Sequence, residues 1–141
     1  MTANHPPKKL DNRQVAHWEL QPGYVYFIAA GDPPTAIKIG ISTAGAMRKR
    51  LQQHQSSNHE PLYLLGLVYF EGMEKPMVEA NKLENELHDR FSGQRRFSTG
   101  PGNEWFSPNE ELLAYIEENA KPPADFGLVE SVAKHGPGLG K

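Results

Sequence analysis

The side chains of this protein best able to do chemistry form a short series. Tyr24 and Tyr26 are two residues apart, and Lys38 follows. Arg50 and His54 are four apart, as are Glu84 and His88. A phenol can donate a hydrogen bond or relay a proton from water. A guanidinium offers a planar fork to two oxygens of an anion and stabilises charge growing on them. An ammonium binds negative charge and, once desolvated, gives up its proton more easily. A carboxylate suits a hard cation that keeps several of its waters. The chain has no cysteine, which excludes a thiolate zinc site and a disulfide scaffold.

Spacing removes several familiar sites. Glu84 and His88 are spaced ExxxH, which is neither the ExxH of di-iron bundles nor part of the HExxH of zinc hydrolases. Gly40 and Gly45 are spaced like a phosphate loop, but Ala46-Met47 stands where Lys-Ser/Thr is required, so a P-loop NTPase is rejected.

These groups need elements to hold them. Tyr24-Val25-Tyr26-Phe27-Ile28 is a β-branched and aromatic run, hence a strand, and Ala36 to Ile41 is a second one after the turn Ala30-Gly31-Asp32-Pro33-Pro34. The short loop between them predicts an antiparallel hairpin. Lys38, between Ile37 and Ile39, points away from the face that buries those isoleucines; the alternative is a solvated lysine guarding an edge strand. Residues 44–55 read as a helix with Met47 and Leu51 on one face, and this places Arg50 and His54 together on a face as well. Leu62 to Phe70 is a third, largely buried strand.

A second helix opens at Pro76 and runs to about Phe91, with Ala80, Leu83, Leu87 and Phe91 as its apolar stripe. Glu84 lies beside that stripe, half-buried, while Glu86 faces solvent. A last helix starts at Ser107-Pro108-Asn109-Glu110, with Ser107 as cap and Glu110 closing a capping box. The expected fold is α/β of the α+β kind: a small three-stranded, mainly antiparallel sheet flanked by about three helices.

Residues 1–22 read as a flexible N-terminal arm, 23–120 as one domain, and 121–141 as a loose C-terminal tail in which Phe126, Leu128 and Val132 could form a docking turn. Of the 141 residues, 38% are hydrophobic and 23% charged, which is a globular composition. No apolar run approaches a membrane span, and the N-terminus is no secretory signal, so a cytoplasmic protein with no membrane partner is expected. Fifteen basic against seventeen acidic side chains give a net charge of -2, which argues against a broad nucleic-acid coat. Positive charge is nevertheless clustered at Arg48-Lys49-Arg50 and at Arg90, Arg95 and Arg96, and acidic charge at Glu110, Glu111, Glu117 and Glu118.

Five features in chain order carry a family resemblance. They are Tyr24-Val25-Tyr26, Lys38-Ile39-Gly40, Arg50 with His54, Leu83-Glu84 with Leu87-His88, and Glu104-Trp105-Phe106. Together they resemble the GIY-YIG nuclease superfamily, and specifically a phage-associated branch with KIG and EWF signatures, over residues 23 to about 116. The resemblance implies a metal-dependent endonuclease that hydrolyses phosphodiester bonds in DNA, with RNA as the other candidate substrate. It implies catalytic roles for Tyr26, Lys38, Arg50, His54 and Glu84, with Tyr24 a rival of Tyr26 and Arg48 a rival of Arg50. Lys38 stands where the superfamily has the second tyrosine. Glu84 would hold one Mg2+ (or Mn2+), with His88 as its neighbour or a weak ligand. Arg48, Lys49, Arg95 and Arg96 would touch nucleic-acid phosphates, and Asn103 would be a late polar residue of the site. Trp105 and Phe106 are expected to pack on the sheet. A second function class is a non-catalytic nucleic-acid- or protein-binding domain that keeps the fold, and a third is a toxin-like or phage-defence factor.

Overall fold

The computed structural model describes residues 11–95 and 105–132. Helix α1 (Asn12–Leu20) leads into strand β1 (Gly23–Ala30), which turns through Gly31 into β2 (Ala36–Thr43). Gly31 has φ +80°, a left-handed conformation that glycine adopts without steric cost. A short 3-10 turn over Ala44–Ala46 enters α2 (Met47–Ser56), and then come β3 (Leu62–Phe70) and α3 (Pro76–Arg90). After a 3-10 turn at Ser92–Gln94, β4 (Trp105–Phe106), α4 (Glu110–Asn119) and a turn at Pro123–Phe126 follow.

The expected α+β layout of antiparallel strands with helices is present, with one more strand and one more helix than the sequence suggested. The sheet order is β3-β1-β2-β4, all pairs antiparallel. The fourth strand is Trp105–Phe106, which pairs with Lys38 and Ile37; a two-residue strand has no periodicity of its own to read. The added helix is α1, inside the stretch expected to be an arm. A capping box made by Asp11 and Gln14 secures its first turn. The last helix also starts later than expected: Asn109, not Ser107, is its cap, accepting from the Leu112 amide at 2.8 Å.

Alternation along β1 and β2 divides the molecule into two layers. Val25, Phe27, Ile37, Ile39 and Ile41 meet Met77, Ala80, Leu87 and Phe91 near α3, together with Leu112 and Ile116 of α4. Tyr24, Tyr26 and Ile28 face the other way, toward Met47 and Leu51 of α2 and Leu62, Leu64 and Leu67 of β3. Leu128 and Val132 complete this second layer, and Ser131 and Lys121 bridge to β3 at Tyr63 and Leu67. The docking turn expected around Phe126 is therefore present: that ring lies 5.1 Å from Tyr24 and 5.5 Å from Tyr69.

Candidate functional site

The site starts from Tyr26, fully buried in the middle of β1 and paired with Gly40 of β2. Its ring lies so close over Gly40 that a Cβ there would stand 2.5 Å from the phenol oxygen. Glycine at position 40 is thus a requirement of the tyrosine's placement. From the layer above, α2 brings His54 down to the phenol, and Tyr26 Oη and His54 Nε2 share a hydrogen bond of 2.8 Å.

Burial pushes the His54 pKa from its usual 6.5 down to about 3, and the positive charges of Lys38 and then Arg50 push in the same direction. The imidazole is therefore neutral at physiological pH. Lys38 takes this side of the sheet by alternation along β2, and Arg50 stands one helical turn before His54 on α2. Lys38 is 3% exposed, so it is a buried lysine and not the solvated edge residue that its position also allowed. Its ammonium lies 5.8 Å from the centre of the Trp105 ring, a cation–π contact across the β2–β4 pair. Arg50 is half-buried on α2. Tyr26, Lys38, Arg50 and His54 therefore gather on the α2 side of the sheet.

Glu84 comes from the other layer. It is fully buried on α3, deeper than the half-buried position expected beside the apolar stripe. Its Oε2 lies 4.0 Å from His88 Nε2. His88 donates from Nε2 to the Ile39 carbonyl at 2.9 Å, and its ring packs 5.2 Å from Phe106. Among the described residues β2 pairs with β4 at Ile37 and Lys38, and His88 bonds the next residue of β2, Ile39. Ile39 sits between Lys38 and Gly40. The two layers thus approach one another at the outer edge of β2.

The basic residues divide. Lys49 is exposed on α2. Arg48 is exposed but tied down, donating to the Gly127 carbonyl at 2.8 Å. Arg95 donates to the His88 carbonyl at 3.1 Å and stacks 5.6 Å over Phe106, which fixes the end of α3 to β4. Arg96, Asn103 and Glu104 lie outside the described residues. Tyr24, the rival phenol, stacks on Tyr69 at 4.9 Å beside Phe126. Two further residues belong to the neighbourhood. Ser42, 3% exposed on β2, shares Lys38's side by alternation, and Trp105 forms the wall over the lysine.

Among the described residues no group of three His, Cys, Asp or Glu side chains could enclose a metal. That rules out a closed zinc-type cage there, which needs about four protein ligands. Glu84 offers one carboxylate, the kind of ligand a hard cation takes, and it is fully buried. No helix among the described residues is long and apolar enough to cross a membrane.

A family model, the T5orf172 domain, matches residues 23–120, from the start of β1 to just past α4. No curated protein and no solved structure matches the chain.

Proposed function

This chain belongs to the T5orf172 domain family, a phage-associated, nucleic-acid-associated member of the GIY-YIG-like nucleases, and from that premise we propose a metal-dependent endonuclease acting on DNA. Lys38-Ile39-Gly40 and Glu104-Trp105-Phe106 are read as this branch's signatures. One observation carries the reading: a neutral imidazole bonded to a buried phenol, with two cations around them. A surface cluster kept for stability would not bury a lysine beside a histidine that its charge discourages from protonating.

In the proposed reaction, Arg50 and Lys38 hold the non-bridging oxygens of the scissile phosphate and offset charge developing there. Water attacks phosphorus, passing its proton to the Tyr26 oxygen while the phenol proton moves to His54 Nε2. Burial is the main reason the imidazole stays neutral, and the incoming phosphate favours this transfer by offsetting the smaller opposition of Lys38 and Arg50. The bond from phosphorus to the 3'-oxygen breaks, that oxygen takes up a proton from solvent water, and the products are a 5'-phosphate and a 3'-hydroxyl. A magnesium ion held by Glu84 would supply further positive charge to the leaving oxygen. A cytoplasmic setting is part of the same proposal.

Plasmid nicking in magnesium tests the proposal. Wild type should cut, while Glu84→Gln and Arg50→Ala should each lose about 10²–10³-fold. Cutting at the wild-type rate by either variant removes that residue from the site. Lys38 at the superfamily's tyrosine position favours one second reading, a binding domain without catalysis, and metal-independent DNA binding with no product would establish it.

A further inference from the structure

Strand β4 holds two aromatic residues, and its pairing with β2 sends them to opposite faces of the sheet. Trp105 is opposite Lys38, and Phe106 is opposite Ile37. Directly opposed residues of an antiparallel pair share a face, with Cβ atoms about 4.5–5.5 Å apart. Phe106 is fully buried in the α3-side core with Ile37, while Trp105 packs against the α2-side layer and stays half-buried. We infer that Trp105 is a positioning residue, whose ring holds the Lys38 ammonium in place for the phosphate. The inference rests on the phosphodiester reading above and adds what steadies one of its two cations.

Charge is the first argument. Lys38 is 3% exposed, and a buried ammonium is costly unless its surroundings compensate. The Trp105 ring does part of this, with the lysine Nζ 5.8 Å from its centre. Tryptophan has the strongest cation-binding face of the aromatic side chains, and the contact strengthens where water is excluded. An aromatic face carries no net charge. It therefore attracts the ammonium without neutralising it, and the positive charge remains available to an incoming phosphate. A leucine would pack against the same layer but would offer the ammonium no such attraction.

Register is the second argument. A slip of one residue would carry Trp105 to the α3 side and break the contact. Phe106 pins the strand against that slip. Its ring lies 5.2 Å from that of His88, and the Arg95 guanidinium lies 5.6 Å over it. Arg95 also forms a backbone bridge with Phe106, and the Ser107 amide donates to the Gln94 carbonyl at 2.6 Å. The fastening is on the α3 face, and its product, a fixed ring over Lys38, is on the other. The two aromatic residues of one short strand thus divide the work: Phe106 sets the register, and Trp105 steadies the cation.

The test uses the full chain and grades the electron density of the ring while nearly keeping its shape. The chain has two tryptophans, so Trp18→Phe serves as the parent. In it, tryptophan is replaced by its mono-, di- and trifluoro analogues, each fluorine drawing density from the ring face. The logarithm of the plasmid-nicking rate in magnesium should fall stepwise, by roughly 10–30-fold over the series. Thermal unfolding midpoints should stay nearly level, because packing is retained. A ring that served packing alone would leave the nicking rate level as well. Trp105→Phe, which keeps a weaker aromatic face, should cut at a rate between wild type and Trp105→Leu. A parent that cuts at one rate across the whole series overturns the inference and leaves the cleavage site standing. Trp105→Leu cutting within about twofold of wild type does the same. If wild type itself does not cut, the inference falls together with its premise.

Discussion

The two faces of the central sheet are drawn from the same strands and differ in kind. Toward α3, β1 and β2 present Val25, Phe27, Ile37, Ile39 and Ile41, packed on the apolar side chains of α3 and α4. Toward α2, the same strands present Tyr24, Tyr26, Lys38 and Ser42, with His54 bonded to one of the phenols. A strand's period of two allows this division, since residues one apart serve opposite faces. Neighbours in sequence thus have separate tasks: Phe27 holds the protein together, and Tyr26 serves the proposed chemistry.

The sharpest way to break that division is to change those two neighbours. Phe27→Ala should cost about 3–5 kcal/mol, because it empties a fully buried aromatic site. Tyr26→Phe removes one hydroxyl and keeps the ring, so it should cost only about 1 kcal/mol in urea unfolding. Its nicking rate should nevertheless fall about 10²–10⁴-fold. If Tyr26→Phe unfolds as readily as Phe27→Ala, or cuts like wild type, the two faces do not differ as described.

A smaller effect concerns His54, whose folded pKa of about 3 lies below its usual 6.5. Between those two values the unfolded chain binds a proton that the folded chain refuses, so stability falls as pH drops from 6.5 toward 3 and gains nothing above 6.5. Allowing for partial solvent access, wild type should lose about 1–2 kcal/mol from this group between pH 6.5 and pH 5. His54→Gln should flatten that slope in urea titrations at both pH values. An unchanged slope would mean that the imidazole is not held neutral by its surroundings.

Much of this division was legible in the sequence, and the reasons for the rest are physical. Runs such as Tyr24 to Ile28 and Leu62 to Phe70 declare strands because β-branched and aromatic residues fit a pleated, half-buried surface. Alternation around Lys38 declared which side the ammonium takes, but its depth depends on Trp105, which arrives from far along the chain. Helix α1 was missed because none of its residues is buried and its apolar pattern is weak; the Asp11–Gln14 capping pair was the available signal. The roles of Arg48 and Arg95 were unreadable, since each is set by a carbonyl that only folding brings near. Glu84 was readable as a residue to watch, yet its layer follows from α3 packing on the Ile39 face.

Gly40 gives a test of intermediate size, since it serves the α2 face through backbone space alone. A methyl at this position would stand 2.5 Å from the Tyr26 hydroxyl, so Gly40→Ala must displace the ring, at about 1–3 kcal/mol and with the loss of the His54 bond. Gly45 has nothing within 4 Å of an added Cβ, so Gly45→Ala is the matched control and should leave both stability and nicking near wild type. Equal behaviour of the two variants would show that Tyr26 tolerates movement and that the α2 face is less tightly built than the α3 face.

The smallest expected effect separates two arginines on one helix. Arg48 donates to the Gly127 carbonyl from an exposed position, so it fastens the C-terminal segment over the α2 face. An exposed hydrogen bond of this kind is worth at most about 1 kcal/mol, and Arg48→Ala should lower the urea midpoint by no more than that. Its nicking rate should stay within about twofold of wild type, whereas Arg50→Ala, whose charge reaches His54, should show the opposite pattern of near-normal stability and lost cutting. Were Arg48→Ala the inactive variant, the phosphate fork would belong to Arg48, and the bond to Gly127 would have to release when substrate arrives. The α2 face would then include the C-terminal segment as a moving part.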